Sequence, residues 1–430
     1  MKYTFYLLFL LLLTSAITLP AVELPHVITN TVYTGNIKTV EMYRDGWKLS
    51  NPVMVLNSND RLVFNFDDLN DVRKNYYYTI YHCDRDWRIS KLPQQDYLES
   101  FVDFPIIDSE YSINTNVRYV NYLIKLPNND VPIVYSGNYA LVVFDKDEPD
   151  HPVITWQFYV VENQVNIDAR IRRSTYDSVN GENQEIDFKI ICGNFNIQDP
   201  VSDLKVVVMQ NNRSDNAITN LKPQFFGNGI LEYDYNLENT FAGVNEFRFF
   251  EIRGIKYPGE GVEFIGFYDP LYHATLFAGE IRTQNRYSFY KEMNGNFFIE
   301  AYNRNYPETE SDYMFVHFTL PMAQPLLGGG VYVFGKLSNW QCNLSNKMVW
   351  NFEKNQYELT LLLKQGYYNY LYAYKDDDHQ VVKCENLEGS HFETENDYQI
   401  YVYYGKITDR YDRLIGYQKF NSLNNRTFNP

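Results

Sequence analysis

Short stretches in which apolar and polar side chains alternate recur along almost the whole chain of 430 residues. In residues 61–66, for example, Leu62, Phe64 and Phe66 stand at every second position. A period of two places alternate side chains on opposite faces of a β-strand. No segment of three helical turns shows the 3.6-residue period of an amphipathic helix. The chain is therefore predicted to be all-β, built from β-sandwiches in tandem.

Turn signals divide the predicted strands into three sets. Ser136-Gly137 lies within the first set and Asn180-Gly181 within the second. The last residues are rich in asparagine and only weakly periodic, which is typical of an extended tail. The predicted division is a signal peptide at 1–21, a first β-sandwich at 22–162, a second at 163–286, a third at 287–410 and a C-terminal tail at 411–430.

The dipeptide Asn294-Gly295 predicts a tight turn in the third set. Asn-Gly is the preferred pair for a type I′ turn between two antiparallel strands. We therefore expect a hairpin that joins residues 287–289 to residues 297–302.

The N-terminus has the pattern of a secretory signal. Lys2 precedes nine apolar residues at 5–13, a length typical of a signal peptide and too short to span a membrane as a helix. Small residues follow at cleavage spacing, so we expect cleavage after Ala16 or Ala21. The mature protein is predicted to be extracytoplasmic.

Composition narrows the class of partner. The formal net charge is −16 and the sequence pI is about 4.9, which argues against nucleic acid and against anionic lipid. Aromatic residues make up 17% of the chain, with 39 Tyr and 29 Phe. Aromatic side chains favour strands and fill sandwich cores, and Tyr also suits contact surfaces.

The four cysteines leave their redox state open. They are Cys83, Cys192, Cys342 and Cys384. An exported protein can form disulfides, and four cysteines permit three pairings, among them one between Cys342 and Cys384. Their wide spacing without close histidine pairs argues against zinc, and no metal site is predicted.

Candidate chemistry is sparse. His82 and Cys83 resemble a base and a nucleophile, but neighbours on a strand point to opposite faces, so no catalytic pair is predicted. Nucleophile-elbow, zinc-protease and phosphate-loop motifs do not occur in the sequence. Acidic runs at 67–71, 145–150 and 376–378 lack the spacing of a calcium loop and are expected to be solvated loop tips. We expect no catalytic residue and no cofactor.

Residues 331–340, with the sequence VYVFGKLSNW, resemble the opening strand and turn of early-set immunoglobulin-like modules. The fold class implied is a tandem of immunoglobulin-like sandwiches whose last member is an early-set module. Carbohydrate-binding members place an aromatic ring against a sugar at such a turn. Trp340 is the candidate stacking residue, although Leu337 and Ser338 replace the Phe and Asn of that pattern.

Six motifs in order along the chain resemble the plug-protein family of type IX secretion. Each motif is weak alone, but the ordered set covers nearly the whole mature chain. Two departures are conservative, since Glu251 and Glu292 stand where the family has Asp. The motifs are FNFDDL at 64–69, YTIYHCD at 78–84 with Trp87, SGNY at 136–139, QNNR at 210–213, NEFR at 245–248 and KQGYYNY at 364–370.

That resemblance implies a function without catalysis. Such a plug is a periplasmic protein that seals the periplasmic side of a very large outer-membrane β-barrel while no cargo passes. Its expected partner is that barrel translocon, with no nucleic acid, a peripheral place at the outer membrane and a monomeric free state. The alternatives are a carbohydrate-binding protein that uses Trp340, and a hydrolase with unrecognised carboxylates. No residue is assigned to the sealing surface.

Overall fold

The computed structural model describes residues 24–98, 102–176, 181–378 and 381–424. The expected signal peptide at 1–21 lies outside these residues. The described chain consists mostly of β-strands in several sheets, whose pairing is chiefly antiparallel, with a few short helices. The helices are α1 (Gln94–Tyr97), α2 (Pro200–Asp203), α3 (Pro307–Glu310) and α4 (Glu385–Glu388), with a 3₁₀ turn at Lys336–Ser338. Among the described residues, no helix has the length and apolar character needed to cross a membrane.

The first unit contains ten strands in two sheets. One sheet has the order β1-β10-β9-β5-β6, with β3 added beside β10, and the other has the order β2-β4-β8-β7. Their facing side chains form one core, in which Phe66 of β4 stacks on Tyr122 of β8 and meets Tyr76 of β5 edge-on. The strands are β1 (Thr31–Val32), β2 (Ile37–Arg44), β3 (Val53–Val55), β4 (Leu62–Asp68), β5 (Tyr76–Cys83), β6 (Phe104–Pro105), β7 (Asp108–Tyr111), β8 (Val120–Leu126), β9 (Gly137–Asp145) and β10 (Glu148–Val161).

The second unit combines strands from two distant parts of the chain. One sheet has the order β11-β12-β15-β14, with β16 beside β12, and the other has the order β13-β27-β28. Phe241 and Tyr398 meet across the core between these sheets, with ring centroids 5.4 Å apart. The strands are β11 (Asn166–Arg173), β12 (Asn183–Ile191), β13 (Leu204–Gln210), β14 (Phe225–Gly227), β15 (Ile230–Tyr233), β16 (Thr240–Ala242), β27 (Asp397–Tyr404) and β28 (Arg413–Asn421).

The third unit lies between β16 and β27 in the sequence. One sheet has the order β17-β25-β20, with β22 and β26 beside β25, and the other has the order β18-β19-β21-β24-β23. Phe318 lies between Phe250 and Tyr370 in the shared core, at 5.6 and 5.3 Å. The strands are β17 (Arg248–Glu251), β18 (Val262–Tyr268), β19 (Leu271–Leu276), β20 (Phe297–Ile299), β21 (Tyr313–Pro321), β22 (Gly329–Phe334), β23 (Val349–Asn351), β24 (Gln356–Lys364), β25 (Gly366–Asp376) and β26 (Val382–Lys383).

Strand pairing thus corrects the expected division after residue 162. Residues 248–276, expected in the second sandwich, supply three strands of the third unit, and β27, expected in the third, pairs with β13 of the second. The expected tail at 411–430 contains β28, which pairs with β27 along its whole length, while residues 425–430 lie outside the described residues. The third unit is therefore an insertion within the second. Local periodicity does not record such non-local pairing.

The predicted turn at Asn294-Gly295 is present, but the hairpin is not. Both residues have positive φ, at 49° and 79°, as a type I′ turn requires, and Asn296 N–H donates to Met293 O at 3.1 Å. Residues 287–289 form no strand, and β20 pairs with β25 instead. A Cβ at Gly295 would lie 2.3 Å from the Trp340 ring, so close packing also requires glycine here.

Candidate functional site

His82 and Cys83 form no catalytic pair. The His82 imidazole is buried, with Nδ1 2.9 Å from Ser90 Oγ and Nε2 3.1 Å from Ser136 O. Burial lowers the pKa of His82 to about 4, so the ring is neutral and enclosed. Burial also raises the pKa of Cys83 to about 12, which leaves an inert thiol.

All four cysteines are free thiols in the structure. Cys342 and Cys384 both contact one small apolar cluster, but they are not bonded to each other. Cys384 is fully buried, and Arg213 approaches its sulfur at 3.9 Å. Cys342 and Cys384 thus fill space where the second and third units meet.

Trp340, the candidate sugar-stacking residue, is only 8% exposed. Phe247 and Phe334 meet its ring edge-on, with centroids 5.9 and 5.5 Å away. Stacking on a sugar needs a free ring face, so this burial disfavours the carbohydrate interpretation. Trp340 contributes instead to the packing between the second and third units.

The acidic run at 67–71 differs from the expected loop tip. Asp67 and Asp68 end strand β4 and are fully buried. Asp68 accepts hydrogen bonds from Asn36 and Tyr76, at 2.6 and 2.9 Å. Burial of both carboxylates with partners shows that this run organises the structure.

The first and third units meet at a buried ion pair, which we call the first–third joint. Lys364 Nζ lies 2.5 Å from Asp67 Oδ2, with both side chains 2% exposed or less. Tyr313 donates its hydroxyl to the same carboxylate oxygen at 2.6 Å. Lys364 also donates to Glu308 O at 2.6 Å and lies 4.2 Å from the centre of the Tyr119 ring. Burial lowers the pKa of Lys364 and Asp67 opposes this shift, so removing either partner would leave the other charge buried without compensation.

A second carboxylate reinforces this joint. Asp312 of the third unit accepts hydrogen bonds from the Asn116 and Val117 backbone N–H groups and from the Asn116 amide, at 2.7 to 3.0 Å. Tyr119 donates its hydroxyl to Ser311 O at 2.8 Å. The loop before β8 is thereby fixed onto the third unit.

The first and second units meet through tyrosines and an arginine–carboxylate pair, the first–second joint. The Tyr159 and Tyr401 ring centroids are 4.5 Å apart, within an apolar cluster that both units supply. Arg413 donates two hydrogen bonds to Glu162, at 2.8 and 2.6 Å. Ser136 donates a further one at 2.6 Å. Burial raises the pKa of Glu162, but these hydrogen bonds outweigh it and hold the pKa below its usual value.

The second–third joint consists of the two chain segments that connect the inserted unit, residues 243–247 and 389–396. The segments run side by side, with His391 N–H donating to Val244 O at 2.8 Å. Asn396 bridges the two segments by donating a hydrogen bond to Gly243 O at 3.0 Å. Its side-chain amide also donates to Gln184 Oε1 of strand β12 at 3.1 Å. A Cβ at Gly243 would lie 2.0 Å from His391 O, so this approach requires glycine.

A small, partly open cavity of about 70 Å³ lies where the three units meet. Trp87 and Tyr159 line it from the first unit, Met209 from the second, and Trp340 from the third. Wider grooves of about 520 to 550 Å³ lie between the first unit and each of the others. The joints therefore close around a nearly filled centre, which favours a rigid body over hinged units.

Sequence reasoning missed the joints. Their charged residues come from distant positions, such as Asp67 with Lys364 and Glu162 with Arg413. The sequence did contain one signal. Asp67 directly follows the predicted strand residues 62–66, and no turn residue separates it from them. Acidic side chains are almost never fully buried unless they are paired. An acidic residue inside a strand pattern therefore indicates a buried partner rather than a loop tip.

The protein resembles known proteins both in family pattern and in fold. The family model described as the type 9 secretion system plug protein first domain matches residues 37–162. A crystal structure of a hypothetical protein from Parabacteroides merdae ATCC 43184 has a TM-score of 0.90 at 38% sequence identity, covering 92% of this chain and 99% of that chain. The alignment with a native-conformation structure of E. coli alpha-2-macroglobulin covers 95% of this chain and 28% of that chain, but its 8% identity and TM-score of 0.18 do not indicate a shared fold. No curated protein sequence matches significantly.

These matches agree with the architecture. The matched residues 37–162 end where the strands of the first unit end, at Val161. The Parabacteroides protein shares the fold over nearly its full length, which includes the inserted third unit. The match to the family model confirms the resemblance seen in the sequence: this chain belongs to the type 9 secretion system plug protein family.

Proposed function

We propose that this protein seals the periplasmic side of the type IX outer-membrane translocon while no cargo is being exported. Membership of the plug family carries this proposal, because the family implies association with the translocon. The proposal places the protein in the periplasm, bound to the outer membrane through its barrel partner, and monomeric when free. It assigns the protein no catalysed reaction.

Rigidity supports the proposal. Domains in one chain normally move relative to one another unless their interface is large and well packed. Here all three joints contain hydrogen-bonded groups, including the buried pair Lys364–Asp67 and the half-buried pair Arg413–Glu162. A stiff body can cover a wide opening without deforming, whereas hinged units would leave gaps.

Release requires a difference in binding energy between two states. Cargo can displace the plug only if it binds the open translocon better than the sealed one. Sealing and cargo occupancy would then alternate without any chemical step in the plug.

We also propose that each two-sheet unit is an immunoglobulin-like sandwich and that the third is an early-set module. One core between two sheets in each unit supports this, as does the turn that follows β22. Superposition on early-set modules tests it, and a different strand order would contradict it.

A permeability measurement tests the sealing function. Cells that lack this protein should admit a large fluorescent dextran across the outer membrane, and wild-type protein supplied in trans should restore the barrier. A variant with an exposed change, Lys354→Met, should restore it equally, since Lys354 lies on the surface. Unchanged permeability in cells lacking the protein would contradict the proposal.

A further inference from the structure

Strand β18 forms an edge of a sheet in the third unit. It pairs with β19 along one side, and no strand of the described residues pairs with its other side. Residues along an antiparallel strand alternate between bonding to the neighbour and facing away from it. Part of the β18 backbone is therefore available to another strand.

Exposed aromatic side chains accompany this free edge. Phe264, Phe267 and Tyr268 are 49%, 50% and 59% exposed. Soluble proteins usually protect edge strands with lysine, proline or short length. This seven-residue edge carries no lysine or proline and shows three exposed aromatic rings, and its glutamate and register shift lie only at its first residues.

Two of these rings cover the middle of the strand. A Cβ at Gly266 would lie 2.6 Å from the Phe264 ring and 3.2 Å from the Tyr268 ring. The aromatic surface continues across the sheet. The Tyr268 ring contacts the His273 ring, and the His273 ring contacts the Phe315 ring, with centroids 5.3 and 5.1 Å apart. An incoming strand would therefore find ordered rings beside the backbone edge.

Acidic side chains near β18 indicate which charge a strand added at this edge would carry. Glu260, Glu263 and Asp269 are exposed on or beside β18, and none forms an ion pair within the described ranges. Pairing with the β18 edge of a second copy would bring like charges together, on a chain of net charge −16. Charge complementarity instead favours a basic strand.

We propose that β18 docks an extended segment of a partner protein, in which apolar residues alternate with lysine or arginine, as an added strand. Backbone hydrogen bonds supply the affinity in this mode, and alternate side chains supply the specificity. The apolar residues contact Phe264 and Tyr268, while the basic residues neutralise Glu260, Glu263 and Asp269. This interaction is independent of the sealing function, since it requires only the isolated protein.

The test uses a fluorescent, end-blocked peptide of about eight residues, typical of a strand, that alternates lysine with valine or tyrosine. Fluorescence anisotropy measures its binding to the full protein. A peptide with glutamate in place of lysine, and one with proline at alternate positions, should both fail to bind. Hydrogen exchange should slow at β18 amides when the lysine peptide binds.

Two double variants distinguish β18 from other exposed surfaces. Phe264→Lys with Tyr268→Lys should weaken binding by roughly tenfold, through lost ring contacts and added like charge. The matched control is Phe225→Lys with Phe226→Lys on β14, another edge strand with two exposed phenylalanines, which should leave binding unchanged. Absent binding, binding without protection of β18 amides, or an equal loss in the control would each overturn the proposal.

Discussion

Lys364 of the third unit and Asp67 of the first unit form an ion pair at 2.5 Å, although 297 positions separate them in the sequence. Removing one partner leaves the other charge buried without compensation. Lys364→Met should therefore lower the free energy of unfolding by about 3–5 kcal/mol, measured by urea denaturation.

The control for this prediction is Lys354→Met, which breaks an exposed ion pair with Glu358 and should cost at most about 1 kcal/mol. Adding Asp67→Asn to Lys364→Met should recover part of the loss, because it removes the uncompensated charge. Equal effects of the buried and exposed variants would show that the joint is not fixed by this pair.

Glu162 makes the first–second joint sensitive to acid. Its pKa is lowered in the folded protein, because hydrogen bonds from Arg413 and Ser136 outweigh the effect of burial. Its contribution to stability is therefore complete above the unfolded pKa of about 4.3 and is lost as the pH falls through the lower folded value.

Glu162→Gln should flatten this part of the stability profile between about pH 5 and pH 3, measured as the thermal midpoint at each pH. Glu353→Gln, on an exposed loop, serves as the control. An unchanged slope in Glu162→Gln would rule out the assigned role.

His273 and His317 share a hydrogen bond on the outer face of the β18 sheet. His273 Nδ1 lies 2.8 Å from His317 Nε2, and His317 Nδ1 lies 2.9 Å from Thr360 Oγ1. Burial, and then the charge of His273, lower the pKa of His317. The neutral His317 ring therefore stabilises the folded state. This stabilisation is complete above the unfolded pKa of about 6.5 and declines as the pH falls below that value.

An NMR titration of the histidine ring signals checks this. His317 should titrate below about 6.5, and His273→Gln should raise its pKa by removing the neighbouring charge. A His317 pKa at or above the ordinary value would contradict the assigned environment.

The cysteines provide a simple chemical test. All four are free thiols, and burial raises the pKa of both Cys83 and Cys342 to about 12. A colorimetric thiol reagent should react slowly with the folded protein and should detect all four thiols in denaturant without reductant. Detection of two thiols would indicate a disulfide, for instance between Cys342 and Cys384.

The sequence predicted strands well where alternation is strong. The alternating residues 61–66, for example, lie almost wholly in strand β4 (Leu62–Asp68). The sequence did not predict β28, because residues 413–421 alternate only weakly. They form a strand because they pair with β27, whose alternation is stronger. Nor did it predict the insertion of the third unit, since strand partners such as β13 and β27 are distant in sequence.

For the candidate site, the sequence predicted the family but not the individual residues. The ordered motifs indicated the family, but the residues that fix the units together, such as Asp67 and Glu162, resemble ordinary surface acids in sequence. Trp340 resembled a ligand-binding ring, whereas its packing depends on Gly295, a contact that periodicity cannot reveal.

Co-purification tests the central claim most directly. A tagged copy of this protein would be isolated from detergent-solubilised cell envelopes, and the proteins bound to it would be identified and quantified by mass spectrometry. The account predicts a very large outer-membrane barrel protein in near-equal amount. Recovery of this protein alone, or with polysaccharide instead of a barrel, would contradict it.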